Sequence, residues 1–273
     1  MKPIFDELEK AFIEIGIDFY LIGAVARDIW STGVHGEKLG RITRDLDFAV
    51  LIAEKEGYTK LRSLLIETGN FSEVKENAFA LLYQGKITVD LLPFGEEIEV
   101  DGIVSIEGKG LTQISVEGFS EVLEEATTEI EFAQGNLFKV CTLPGIVVLK
   151  LIAHNDRPDE RAKDIQDIAR IIEKYYDFKY ENILDDHYDL LDADPYDRLI
   201  ISARVIGRDM RSILERSENL KKRICTILET ACADPEKSRI GLLMISDEIT
   251  SLARAVKLLE EILKGINDKP DEI

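Results

Sequence analysis

Apolar residues recur along the first half of the chain in short bursts. Phe19-Tyr20-Leu21-Ile22, Leu46-Phe48-Val50, Phe79 to Tyr83 and Ile87 to Leu92 are β-rich runs, and they predict strands alternating with two or three helical stretches. Near Pro144 the period changes. Ile165, Ile168, Ala169 and Ile172 fall at helical spacing, as do Leu252, Val256, Leu259 and Leu263, so nearly everything beyond Pro144 reads as helix. The pattern predicts an α+β fold, with a mixed domain over residues 1–143 and an all-helical domain over residues 144–273. No internal repeat or low-complexity linker interrupts it.

Composition narrows the class. Hydrophobic residues are 45% and charged residues 32% of 273 positions, a soluble globular mixture. The longest apolar runs, such as Gly145 to Leu149, stop far short of the roughly 20 residues that span a bilayer, so no membrane segment is expected. The N-terminus turns acidic at Asp6 and Glu7, where a secretory signal needs an apolar stretch, and a cytoplasmic location follows as the expectation. With 34 basic and 53 acidic residues the net charge is −19, which repels bare polyanions and excludes nonspecific coating of nucleic acid.

Cys141, Cys225 and Cys232 have no metal-ligand spacing and read as small buried hydrophobes. His35, His154 and His187 are too scattered for a metal cluster, and there is neither a P-loop nor a Gly-x-Ser-x-Gly, so kinase, hydrolase and zinc readings fall away. Arg204, Arg208 and Arg211 form one stripe of a helix and read as a solvated face paired with Asp209, Glu215 and Glu218. Tyr175, Tyr176, Phe178 and Tyr180 read as a packing cluster.

Candidate chemistry concentrates between residues 19 and 93. The apolar strand ending at Ile22 runs into Gly23-Ala24 and then a helix-permissive segment. Gly23 lets a ligand approach the backbone, whose free N–H groups could cradle phosphate. Taken alone, such a junction reads as a tight turn that needs no ligand. In Arg44-Asp45-Leu46-Asp47-Phe48, alternation puts Leu46 and Phe48 on the core face and both acids on the other, about 6.6 Å apart along the strand. Carboxylates that close repel, so a divalent metal or Arg41 and Arg44 are their natural partners. An isolated Asp-x-Asp is also what a solvated strand face looks like. Asp90, the sole acid of an apolar strand, changes the balance. If its strand lies beside the Asp45/Asp47 strand, three acids meet beside a glycine bend in a two-metal nucleotidyl-transfer geometry. Two Mg²⁺ ions, with Mn²⁺ as an alternative, would then be held by Asp45, Asp47 and Asp90, with a nucleoside triphosphate as substrate and Asp90 as general base.

These residues resemble the DNA polymerase β-like nucleotidyltransferase superfamily, which pairs a strand-glycine-helix junction with Asp-x-Asp and a distant third Asp. The resemblance covers roughly residues 19–93, with Gly23-Ala24 where relatives have Gly-Gly or Gly-Ser, and a longer insertion, Ser31 to Thr43, before Asp45. It implies a mixed sheet with flanking helices. A second stretch, Leu149-Lys150 followed by Arg161-Ala162-Lys163-Asp164-Ile165-Gln166-Asp167, is similar to the AbiEii-type nucleotidyltransferase toxins of type IV toxin–antitoxin systems. That similarity implies that Lys150 touches triphosphate, that Asp164 and Asp167 orient basic groups or the base, and that an antitoxin protein is a partner. An exposed first helical turn would also favour acids at Asp164 and Asp167. Gly23-Ala24-Val25-Ala26-Arg27-Asp28 resembles the signature of the tRNA CCA-adding and poly(A) polymerase branch, where Arg27 would contact phosphate or the acceptor strand. The acceptor stays open among RNA such as tRNA, protein and a small molecule, and a module that binds nucleotide without turnover is the competing reading.

Overall fold

The computed structural model describes residues 2–32, 45–131, 135–192 and 195–268. The chain divides into two compact units, residues 1–142 and 143–273.

The first unit runs α1 (Lys2–Ile15), β1 (Phe19–Ile22), α2 (Gly23–Thr32), β2 (Asp45–Leu51), α3 (Lys55–Glu67), β3 (Phe71–Glu73), β4 (Ala80–Tyr83), β5 (Ile87–Phe94), β6 (Glu99–Val100), β7 (Ile103–Ser105), β8 (Gln113–Ser115), α4 (Phe119–Glu125), β9 (Thr127–Glu131) and β10 (Leu137–Cys141). Its main sheet has seven strands in the order β3-β4-β5-β2-β1-β10-β9. β2 pairs antiparallel with β1 and parallel with β5. A three-stranded sheet, β6-β7-β8, is separate.

The two faces of the main sheet differ because the sequence alternates. Phe19, Leu21, Leu46, Phe48, Val89, Leu91, Phe138 and Val140 share one face by register. α1 buries Ile4, Phe5, Leu8, Ala11 and Phe12 on one stripe, and Phe12 stacks on Phe19 with ring centres 4.1 Å apart while Phe5 meets Phe138 at 5.2 Å. Each such ring, taken fully out of water, is worth about 2–3 kcal/mol. The opposite face carries Tyr20, Ala49 and Phe94, covered by α4. The Tyr20 hydroxyl donates to the Phe119 carbonyl (2.9 Å), and Phe94 meets Phe119 at 5.8 Å. This apolar cover accounts for the C-terminal half of β2 and β5. Their N-terminal halves place polar side chains on the same face.

The second unit is α-helical: α5 (Leu143–Asp156), α6 (Ala162–Phe178), α7 (Tyr180–Asp186), a short 3₁₀ turn (Tyr188–Leu190), α8 (Arg198–Glu215), α9 (Glu218–Ala233), α10 (Arg239–Leu243) and α11 (Leu252–Asn267). Four of these start on a side-chain cap, from Asp197, Ser217, Ser238 and Ser251. α8 and α11 pass backbone to backbone at Gly207 and Gly265: a Cβ on Gly207 would strike the Ile262 carbonyl, and one on Gly265 the Arg204 carbonyl.

The arginine stripe of α8 departs from the expected solvated face. Arg208 is only 6% exposed and binds Asp189 and Asp268 (2.6 Å each), while Arg204 binds Asp268 (2.6 Å) and Glu261 (3.2 Å). Arg211 donates to the Asp268 carbonyl. Asp209, one of the expected partners, instead accepts from the Tyr175 hydroxyl (2.5 Å). The stripe faces the end of α11 and the 3₁₀ turn, so its counter-ions come from Glu261 and Asp268, about 60 positions on, and from Asp189, 19 positions back, rather than from its own helix. Cys141 is buried, whereas Cys225 and Cys232 are half-buried; all three are free thiols. Burial pushes each thiol pKa upward, that of Cys232 to about 11.

Candidate active site

The site starts at the end of β1. The strand passes into α2 with no intervening loop, and the junction residue Gly23 has φ +71°, a left-handed conformation that disfavours any side chain. A second constraint is steric: a Cβ on Gly23 would collide with Oδ2 of Asp47. Glycine therefore brings the start of α2 directly against this carboxylate, and Ala24 follows in the first turn.

Asp47 and Asp90 are cross-strand partners in the parallel β2–β5 pair, and Ile22 partners Asp47 on the other side. Register places both carboxylates on one face, on strands about 4.8 Å apart. Asp45 lies two residues earlier on that face, opposite Thr88, and is exposed, whereas Asp47 and Asp90 are half-buried. Thus β5 does lie beside β2, with its lone acid facing the same way as the earlier two.

The sequence offers no signal for one participant. Asn77 donates its amide N–H to Oδ1 of Asp90 (3.0 Å), and its amide oxygen accepts from the Phe79 backbone N–H (3.0 Å). Because a backbone N–H can only donate, the Asn77 oxygen is fixed towards Phe79 and the NH₂ towards Asp90.

Acidic oxygens alone suit hard cations such as Mg²⁺ or Mn²⁺, so the donor chemistry fits the expected metal. No group of three or more His, Cys, Asp and Glu side chains among the described residues forms a ready-made metal cage. The three acids therefore do not converge as one preformed cluster. Asp47 and Asp90 are opposed, and Asp45 stands one strand repeat away. Mg²⁺ is commonly held by one or two carboxylates plus waters and substrate phosphates, and an opposed pair serves that mode.

The remaining expected residues fall as follows. Arg27 donates to the adjacent Asp28 through Nε (2.9 Å) and Nη2 (2.5 Å). Arg44, with most of the Ser31–Thr43 insertion, lies outside the described residues. In the second unit, Lys150 reaches from α5 to Asp164 (2.7 Å) and Asp167 (2.9 Å) on α6. All three are at least nine-tenths buried, so the exposed-turn reading of Asp164 and Asp167 does not hold. One ammonium between two carboxylates explains why acids sit on the inner side of α6. His154, also buried, faces the Arg161 carbonyl through Nδ1 (3.1 Å) and ties the same two helices.

A Gly-to-helix junction packed on an Asp pair, within a seven-stranded mixed sheet, places the chain among the nucleotidyltransferases once the family match is added. Residues 34–241 match the family described as nucleotidyl transferase AbiEii toxin, type IV TA system. The match spans well over half of the chain, which belongs to this AbiEii family. Two solved structures are similar at low identity. Crystalline ANT(2'')-Ia in complex with adenylyl-2''-tobramycin is 15% identical with a TM-score of 0.38, covering 61% of this chain and 84% of that one. The solution structure of the antibiotic-resistance factor ANT(2'')-Ia is 10% identical with a TM-score of 0.40, covering 85% and 97%. No match was found among curated protein sequences. No helix among the described residues is long and apolar enough to cross a membrane.

Proposed function

We propose that this nucleotidyltransferase moves a nucleoside monophosphate from a nucleoside triphosphate to a hydroxyl acceptor, in a reaction that needs divalent cations held by Asp45, Asp47 and Asp90. The observation that carries the reading is the parallel register of Asp47 with Asp90, with Gly23 pressed against the Asp47 carboxylate. When bound, Mg²⁺ or Mn²⁺ would offset the triphosphate charge and favour in-line displacement. Gly23 and Ala24 leave the backbone N–H groups at the start of α2 open to phosphate oxygens. Asp90, held by the Asn77 amide, takes the proton of the attacking hydroxyl as that oxygen bonds to the α-phosphorus and pyrophosphate leaves. Lys150, fixed by Asp164 and Asp167, is the phosphate-binding cation proposed for the second unit, and Arg27 and Arg44 are secondary phosphate contacts. The family description, a toxin of a type IV TA system, supports an antitoxin protein as partner; the hydroxyl acceptor is proposed among RNA such as tRNA, a protein and a small molecule.

The test is label transfer from each of ATP, GTP, CTP and UTP, with Mg²⁺, to total RNA, protein and small hydroxyl compounds. Asp47→Asn should lose about a hundredfold or more of the rate with an unchanged melting curve, and chelation should abolish transfer until Mg²⁺ or Mn²⁺ is restored. Undiminished labelling by Asp47→Asn refutes the assignment.

A further inference from the structure

A cavity of about 880 Å³ lies in the first unit between α3, residues 73–78 and the small sheet, and Asp45, Asp47 and Asp90 do not line it. Its α3 wall is one helical stripe, Lys55, Tyr58, Thr59, Arg62, Ser63 and Ile66. The floor is apolar and buried: Tyr58, Pro93, Ile98 and Val104. The Tyr58 hydroxyl is spent on the Leu91 carbonyl (2.9 Å), so the residue offers the cavity its ring.

The rim has the opposite character. Lys55, Lys75 and Lys109 are exposed along it and Arg62 is half-buried in the wall, against two acids, Glu73 and Glu107. Residues 1–140 carry 13 basic and 26 acidic side chains, and four of those 13 thus gather at one opening. Among the described residues none of the four is ion-paired with a carboxylate. Arg62 reaches the Ala80 carbonyl at 3.5 Å and lies 5.8 Å from the Tyr58 ring centre.

The walls are built in advance. Gly110, at φ +72°, lies so close to the Glu76 carbonyl that a Cβ would overlap it. The Ala78 N–H donates to Leu111, and the Leu111 N–H to Glu76, each at 2.9 Å. A preformed cavity of this size is in the range that takes one small molecule without an ordering cost.

We propose that this cavity binds a small amphiphilic anion, its apolar body on the Tyr58–Val104 floor and its acidic head at the Arg62 and lysine rim. Floor and rim each exclude a simpler ligand. A bare phosphate would leave the apolar floor wet, and a neutral apolar compound would further desolvate Arg62 without giving it a counter-ion. The inference is independent of the nucleotidyl-transfer reading.

Calorimetry of the full chain with decanoate, octanoate, decanol and inorganic phosphate tests it. Decanoate should bind one per chain. Octanoate, two methylenes shorter, should bind about tenfold more weakly, and decanol at least about tenfold more weakly for want of charge-assisted hydrogen bonds. Phosphate should not compete. The double variant Lys75→Glu/Lys109→Glu, on the exposed rim, should lose about tenfold in decanoate affinity with unchanged melting. Asp47→Asn should bind decanoate like the wild type, and ATP with Mg²⁺ should not displace it, so a failed transfer assay leaves this result standing. No decanoate binding, equal affinity for decanol, or an unaffected double variant would overturn the proposal.

Discussion

Asn77 spends both ends of its amide. One holds Oδ1 of Asp90 and the other takes the Phe79 N–H. Such outer partners of metal-holding carboxylates commonly cost ten- to a hundredfold in affinity or activity when removed. Asn77→Ala should accordingly raise the Mg²⁺ concentration needed for half-maximal transfer by about tenfold, with a stability loss of only about 1 kcal/mol. Asn77→Asp keeps the acceptor for Phe79 but sets an acid against Asp90, and should impair transfer more than alanine does. A metal titration that leaves both variants like the wild type would remove Asn77 from the site. Asp47 and Asp90 are legible in the sequence because each interrupts an apolar strand with a charge that burial alone disfavours, and exposed Asp45 because alternation puts it on the Asp47 face. Asn77 is not, since an asparagine before a strand is ordinary turn chemistry. For Arg208 the spacing says which helix face it occupies, but not that the 3₁₀ turn and the end of α11 cover that face.

At the scale of elements, apolar β-rich runs reveal β1, β2, β4 and β5, while alternation gives distinct polar and apolar faces in β2 and β5. It is blind to β3 and β6 to β8, which have only two or three residues each and no period to read. α5 is apolar nearly all round, with ten buried positions, so its boundary comes from the change of pattern at Pro144 rather than from an amphipathic stripe. The α8–α11 crossing is another contact the pattern hides, because a glycine in a helix reads as a weakness until a second backbone is found against it. Gly207→Ala should lower stability by about 1–3 kcal/mol, the usual cost of overpacking, although alanine is the better helix former. Denaturant unfolding checks this, and a neutral or stabilising substitution would mean the helices can part without loss.

Over the whole molecule, acid acts in two directions. A net charge of −19 repels itself, so mild acidification should first relieve strain among surface carboxylates. Below that range the buried network of the second unit takes over. Burial alone would raise the Asp268 pKa, yet hydrogen bonds from Arg204 and Arg208 outweigh it and hold the carboxyl below its ordinary 3.8. Hydrogen bonding to Arg208 likewise holds Asp189 below its ordinary value, against the upward pull of burial. Glu261 is depressed from 4.5, the bonds from Lys264 and Lys257 again exceeding the effect of burial. Groups whose folded pKa is depressed stabilise the fold above their ordinary pKa and lose that contribution as pH falls through the folded value. Melting temperature should therefore hold or rise from pH 7 towards 5 and fall steeply below about pH 4. Arg208→Gln should flatten the acid limb, and an identical limb would place the acid sensitivity elsewhere. The parallel pairing of β2 with β5 has its own consequence. The Asp47 and Asp90 strands are separated in the chain by α3, β3 and β4, and β5 must insert between β2 and β4 to meet its partner. Until a ribosome has released residues well past 90 and that insertion is complete, the opposed pair does not exist, so a chain cut short before β5 lacks the Asp47–Asp90 pairing altogether.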